Sequence, residues 1–266
     1  MKPLFSLILI INALRLSDNT THFKEYRKEL GSFICVSAAP NGYIVAANKE
    51  GVVYLWDQRG SLIGKQSYSQ YGKIDLIDAA NPLDIFIYFK LNRRLIVLDN
   101  QLNVKKELDF NKLQNYQVRG LGRASDGNCW IIDAREQLLK KIDFTGKALQ
   151  SQTILLNRTQ GGFVLIRDNG NHVVCGADQD SMLNIYTSSL LLGVKLKKGK
   201  NSWCLYGNEI FVPLNDSILG SYDIASPKTD TIHCMGNSPL KQVQVYSGGL
   251  VNMNAGNLIF YKSEHE

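Results

Sequence analysis

The sequence predicts an all-β fold: a six-bladed β-propeller of four-stranded antiparallel blades, closed into a ring by an N-terminal strand. Three observations carry that expectation. A pair of short β-rich runs joined by a few polar residues recurs six times. The corner residues ending each pair, Asp57, Asp99, Asp143, Thr187, Asp223 and Lys262, return at steps of about 36 to 44, close to the period of propeller repeats. Turn residues recur ahead of the second run, at Pro40-Asn41-Gly42, Asp126-Gly127-Asn128, Asp168-Asn169-Gly170 and Gly207-Asn208.

The first repeat places runs at 33–36, 42–48, 52–57 and 61–63. The second has 74–77, 83–89 and 95–99, and the third 118–121, 128–133 and 138–143. The fourth has 163–166, 172–175 and 182–186; the fifth 203–206, 209–213 and 218–223. The sixth has 243–246, 249–253 and 257–262. Gly and Asn supply the positive φ that tight hairpins require. Four strands per repeat is the composition of a propeller blade.

The sixth repeat leaves only Ser263 to Glu266, too few for a fourth strand. An open last blade exposes an unpaired edge. The segment from His22 to Leu30 has the length of one outer strand, with Phe23, Tyr26 and Leu30 as inward anchors. It is expected to pair with residues 257–262. Glu25, Lys28 and Glu29 would also suit a charged helix, but only a strand covers the open edge.

Residues 1–17 read as a signal peptide-like segment, and 18–266 as a single propeller domain. Met1-Lys2 is a basic start, and the apolar run from Leu4 to Leu14 has the length of a signal core. It is too short to span a bilayer, and no second segment is long enough. Ala13 is the best candidate for the last residue removed, and no cysteine follows to carry a lipid anchor. The expected location is extracytoplasmic, in the periplasm or associated with the outer membrane.

The net charge is +6, a mildly basic surface. The densest basic run is Lys195, Lys197, Lys198 and Lys200; it lacks interleaved aromatics, so no nucleic acid partner is expected. Five cysteines, an odd number without a CxxC pair, exclude a full disulfide framework and do not support a zinc ribbon. Cys129 and Cys175 lie in apolar runs, where free cysteine acts as a small hydrophobe.

The four histidines, His22, His172, His233 and His265, form no metalloprotease pair. There is no G-x-S-x-G elbow, P-loop or dinucleotide fingerprint. Some six-bladed propellers are metal-dependent lactonases or hydrolases, with carboxylates and amides around the channel. Here Asp78, Asn81, Asp126, Asp168 and Asn169 fall near first-strand ends and could face it. Asp and Asn at such places also make Asx turns, which is the favoured reading. No catalytic, cofactor-binding or metal-ligating residue is therefore assigned. Trp56, Tyr68 and Tyr71 are candidates for a weaker reading, glycan binding through exposed aromatics.

The segment from Ile77 to Lys90, with Asn81-Pro82-Leu83 at its centre, continues into Leu95-Ile96-Val97-Leu98-Asp99. It resembles a recurrent segment of secreted propeller proteins of Bacteroidota, and Asp126-Gly127-Asn128-Cys129-Trp130 fits the same pattern. The resemblance spans about residues 33 to 262 and extends loosely to NHL-type six-bladed propellers. It implies an exported propeller without a settled activity. Asp180-Ser181-Met182, Asp216-Ser217-Ile218 and Asp230-Thr231-Ile232 resemble the O-glycosylation triplet of exported Bacteroidota proteins. The expected function is a non-catalytic protein-binding or scaffolding module of the cell envelope, in an outer-membrane assembly or secretion complex. The alternative is a lactonase- or hydrolase-type enzyme with a metal in its channel.

Overall fold

The computed structural model describes residues 8–9, 21–113, 115–153, 162–177, 181–197, 202–226 and 228–263. Most of the signal-like segment lies outside the described residues, as do Lys198, Lys200, Asp180 and His265. Among the described residues the regular secondary structure is strand, apart from one 3-10 turn at Ser69–Tyr71.

Two strands come first: β1 (Ile8–Leu9) and β2 (Thr21–Glu29). The first array is β3 (Phe33–Ala38), β4 (Ile44–Asn48), β5 (Val52–Trp56) and β6 (Leu62–Ser67). The second is β7 (Leu76–Asp78), β8 (Ile85–Phe89), β9 (Arg94–Leu98) and β10 (Val104–Asp109). The third is β11 (Val118–Arg123), β12 (Cys129–Asp133), β13 (Leu138–Ile142) and β14 (Ala148–Thr153). The fourth is β15 (Val164–Asp168), β16 (His172–Ala177), β17 (Met182–Thr187) and β18 (Leu192–Lys197). The fifth is β19 (Cys204–Tyr206), β20 (Glu209–Pro213), β21 (Ile218–Asp223) and β22 (Thr229–Met235). The last is β23 (Gln242–Tyr246), β24 (Gly249–Asn254) and β25 (Asn257–Ser263). Within each array, consecutive strands pair antiparallel.

Burial falls from the middle of an array to its outer strand, which explains the composition of each run. β8, Ile-Phe-Ile-Tyr-Phe, is buried at every position, so it reads as one unbroken apolar run without alternation. β6 and β14 are exposed or half-buried throughout, and carry Lys, Gln, Ser and Thr. Charged and polar outer strands blunt edge-to-edge association.

The chain divides into two compact units. One comprises Met1–Arg15, Tyr116–Asp143 and Lys147–Asn201, and holds the third and fourth arrays. Its core gathers Trp130, Ile132, Leu139, Ile166, Val173, Cys175 and Tyr186. The inner strands β11 and β15 pair in parallel, Gly120 with Val164 and Leu121 with Leu165. Glycine permits that approach: a Cβ on Gly122 would stand 2.0 Å from the Ile166 carbonyl oxygen. In the same unit, β1 pairs in parallel with β18, Ile8 with Lys195.

The other unit comprises Leu16–Asn115, Phe144–Gly146 and Ser202–Glu266. One core of this unit joins Val45, Leu55, Ile87 and Leu98 of the first and second arrays. Another joins Phe211, Leu219, Leu250 and Ile259 of the fifth and last arrays. A third joins Phe33, Trp56, Tyr246 and Phe260 of the last and first.

The N-terminal segment is a strand and fills the missing fourth place of the last array. β2 pairs antiparallel with β25, Lys24 with Lys262, Arg27 with Phe260 and Glu29 with Leu258. Phe23 turns into the core with Cys234 and Tyr261, as expected. Tyr26 and Leu30 do not: they are 39% and 77% exposed. A bulge between Glu25 and Arg27 resets the side-chain alternation, and the Arg27 guanidinium lies over the Phe260 ring at 5.7 Å.

In the first four arrays the recurrent corner is one five-residue turn; the Asp223 corner is longer, with Asp223 accepting from Ala225 and Ser226 N–H and its own N–H donating to the Lys228 carbonyl. The Asp57 carboxylate accepts from the backbone N–H of Arg59 and Ser61, and Asp99 accepts from Gln101 and Asn103. Asp143 accepts from Lys147 N–H, and the Thr187 hydroxyl accepts from Leu191 N–H. The fourth residue of each turn has positive φ: Gly60 at 78°, Leu102 at 65°, Gly146 at 85° and Leu190 at 60°. A leucine in the left-handed region carries strain of about 1 kcal/mol or more. Both leucines are almost wholly buried in the apolar clusters, which offsets it. Lys262 lies within β25 and pairs with Lys24, so among the described residues β2 takes the place of the fourth strand.

Candidate functional site

The polar residues suggested for a channel site are committed to turns. Asp78 is buried and accepts from Ala80 N–H, and Asn81 accepts from Leu83 N–H. Asp168 accepts from Gly170 N–H, Ser125 N–H and the Trp130 indole at 2.7 Å. Asn169 accepts from Asn171 and His172 N–H. Asp126 accepts from Asn128 N–H and from the Lys141 ammonium at 3.0 Å. Burial opposes the charge on Asp126, but the Lys141 and Asn128 hydrogen bonds outweigh it and hold the carboxyl below its ordinary range. Among the described residues, no group of three or more His, Cys, Asp or Glu is placed to hold a metal ion.

Three other suggestions resolve by burial. Trp56 and Tyr68 are 2% and 3% exposed, so they form no glycan platform. Tyr68 donates its hydroxyl to the Leu102 carbonyl, and Tyr71 is half-buried against Phe89. Thr231 is buried in β22, while Ser181 and Ser217, the other two triplet hydroxyls, belong to exposed residues outside the strands. All five cysteines are free, and burial pushes the Cys234 thiol up to about 12, away from reactivity.

Two clusters were invisible as such in the sequence. Lys140, on β13, is buried 3.0 Å from the fully buried Asp133 carboxylate at the end of β12 and 2.9 Å from Glu136. Its ammonium also lies 5.0 Å over the Tyr116 ring. This is a closed, internally satisfied group that ties two strands and a loop together. His22 and His233 face each other across the parallel β2–β22 register, ring centroids 5.7 Å apart.

Among the described residues, a feature open to a ligand runs along β2. Its outer edge pairs with β22 only from Thr21 to Lys24, opposite Ile232 to Met235. The chain then turns away at Gly236 and Asn237. A groove of about 640 Å³ remains, lined by Lys24, Glu25, Tyr26, Arg27, Lys28, Met235, Gly236 and Asn237. Lys24, Tyr26, Lys28 and Met235 are exposed, while Glu25, Arg27 and Glu29 are half-buried. The acidic side chains are engaged: Glu25 accepts from Asn237 N–H, and Glu29 accepts from Arg27 Nε at 2.7 Å. The alternating residues of β2 were legible in the sequence, but the far wall comes from residues more than 200 positions away.

No family model matches the sequence, and no curated protein matches it. Solved structures do. The β-propeller domain of Cps50 (Swd1) from Myceliophteria thermophila is 11% identical, covering 90% of this chain and 98% of that one at a TM-score of 0.60. The WD40 domain of Neurospora crassa Pan2 is 8% identical, with coverage of 94% and 98% and a TM-score of 0.62. A streptogramin B lyase is 10% identical, with coverage of 92% and 98% and a TM-score of 0.59. At these identities the likeness shows the fold: the chain is a β-propeller.

Proposed function

We propose that this chain is a non-catalytic, six-bladed propeller that binds a protein partner in the cell envelope. The observation that carries the reading is the groove beside β2, where Lys24, Tyr26, Lys28 and Met235 are exposed along a strand edge. Cationic and apolar groups beside unpaired backbone are what a protein surface recognises. By contrast, the Asp and Asn residues near the first-strand ends are held by backbone donors, which leaves no positioned nucleophile, base or ligand set among them. The envelope location rests on the basic start and short apolar core of residues 1–17, with the resemblance to secreted propellers of Bacteroidota. The fold by itself does not choose between binding and catalysis, since the similar structures include a WD40 domain and a lyase.

The test is fractionation of the native host followed by affinity purification of the cross-linked full chain. The expected result is recovery from the envelope with one stoichiometric protein partner. Recovery from the cytosol starting at Met1, or a tightly held stoichiometric metal ion with hydrolase activity, would overturn the reading.

A further inference from the structure

We propose that the open edge of β2 takes up an extended, acidic segment of the partner as an added β-strand. The inference rests on the protein-binding reading above and names what that groove recognises. Three features of the edge support it.

The first is backbone. β22 pairs with β2 for four residues and then leaves, so among the described residues no strand pairs with that edge from Glu25 to Glu29. On its other side β2 is held by β25 as far as Glu29, which keeps the strand extended. An extended, fixed strand with an unpaired row of N–H and C=O groups is a template for strand addition.

The second is charge. Lys24 and Lys28 are exposed, and Lys262 lies beside Lys24 in the next strand with its ammonium 4.8 Å over the Tyr26 ring. None of these three lysines has an ion-pair partner among the described residues, whereas Glu25 and Glu29 are already engaged. The unbalanced charge along the edge is therefore positive. The third is apolar surface: Tyr26 and Met235 are 39% and 44% exposed and flank the groove.

The geometry sets the ligand's pattern. A strand rises about 3.4 Å per residue and repeats its faces every second residue. The bulge between Glu25 and Arg27 sets Lys24 opposite Lys262 and Lys28 opposite Ile259, so the two lysines lie on opposite faces and span about three steps of a regular strand. The segment expected is extended, free of proline, with acidic residues three apart, one on each face, and apolar residues between them.

The test uses the full chain and a capped peptide rich in Thr and Val, carrying two glutamates three positions apart. Fluorescence anisotropy should show saturable binding that weakens with salt. The double substitution Lys24→Glu and Lys28→Glu should weaken it at least tenfold with an unchanged melting temperature. A proline in the centre of the peptide, or lysines replacing its glutamates, should do the same. Amide exchange within residues 25–29 should slow on binding. The proposal is overturned by no saturable binding, by binding indifferent to the double substitution, or by unchanged exchange at 25–29. It is also overturned if a single-stranded oligonucleotide competes as well as the peptide does, which would mark a general polyanion surface. Affinity purification with the double variant separates the two claims. A partner retained by parent and variant alike removes strand addition and leaves protein binding standing, while a parent that recovers no partner removes the broader reading.

Discussion

Replacing Lys140 with methionine tests how the third array is held together. The Lys140 side chain is 7% exposed and its two carboxylate partners lie at 3.0 and 2.9 Å. Methionine keeps the length and apolar stem but strands the Asp133 carboxylate, which is fully buried. Removing one partner of a buried ion pair costs about 3–5 kcal/mol. Asp133 would keep two backbone donors, Gln117 and Arg135 N–H, each at 3.1 Å, so a loss of about 3 kcal/mol is expected, at the lower end of that range. Adding Asp133→Asn removes the stranded charge, so the double variant should be little worse than the worse single, a coupling of about 2 kcal/mol. The pH dependence has a definite sign. Burial opposes the Lys140 charge, but hydrogen bonds to Glu136 and Asp133 outweigh it and raise the ammonium above its ordinary range. Its contribution is present below the unfolded lysine value, about pH 10.4, and is lost as pH rises through the folded value. Urea unfolding of parent, single and double variants, at neutral pH and above about pH 11, measures all three effects. A Lys140→Met variant within about 0.5 kcal/mol of the parent at neutral pH, or strictly additive singles, would refute this account of the pair.

Three further outcomes follow from the same structure. Gly122→Ala places a methyl group 2.0 Å from the Ile166 carbonyl oxygen and should destabilise the protein by about 3 kcal/mol in urea melts, against about 1 kcal/mol for Gly127→Ala, where nothing crowds the methyl group and only the positive φ opposes it. Deleting residues 21–29 uncovers the outer edge of β25, so the melting temperature should fall sharply and light scattering should report association; a deletion that melts like the parent removes this role for β2. Asp99 and Asp109 are held below the ordinary carboxylate range, Asp99 chiefly by Asn103 N–H and Asp109 chiefly by Asn111 N–H. Their contribution is therefore present above about pH 4 and lost as pH falls through the folded values, and the variant Asp99→Asn with Asp109→Asn should show a shallower acid loss in urea melts at about pH 3 to 5.

The repeat was readable because local chemistry writes it. The Asp57, Asp99 and Asp143 corners show in the sequence because a carboxylate accepting N–H groups two and four residues on needs no distant partner. The place of β2 was readable for another reason: the last array lacked a strand and one polar segment was left to fill it. Its inward anchors were misread because Tyr26 stands three residues from Phe23, on the opposite face by a period of two, and Leu30 lies beyond the last residue that β25 holds. Leu102 and Leu190 are disguised as ordinary apolar residues, since nothing local announces that a leucine will occupy the positive-φ site glycine takes at Gly60 and Gly146. The Asp133–Lys140 pair sits in a run that reads as a polar hairpin, and its burial follows only from tertiary packing. The groove is least legible of all, because Lys24 and Met235 become neighbours through a parallel pairing across nearly the whole chain.

The central claim is that a protein partner seats along β2. Site-specific photo-cross-linking in the native host tests it most directly, with the photoreactive residue placed either at Met235, in the groove, or at Leu149, which is also exposed but lies on the outer strand β14. The account expects one discrete cross-linked product from position 235, lost on combining it with Lys24→Glu and Lys28→Glu, and none from position 149. Equal products from both positions, or a product at 149 alone, would contradict it.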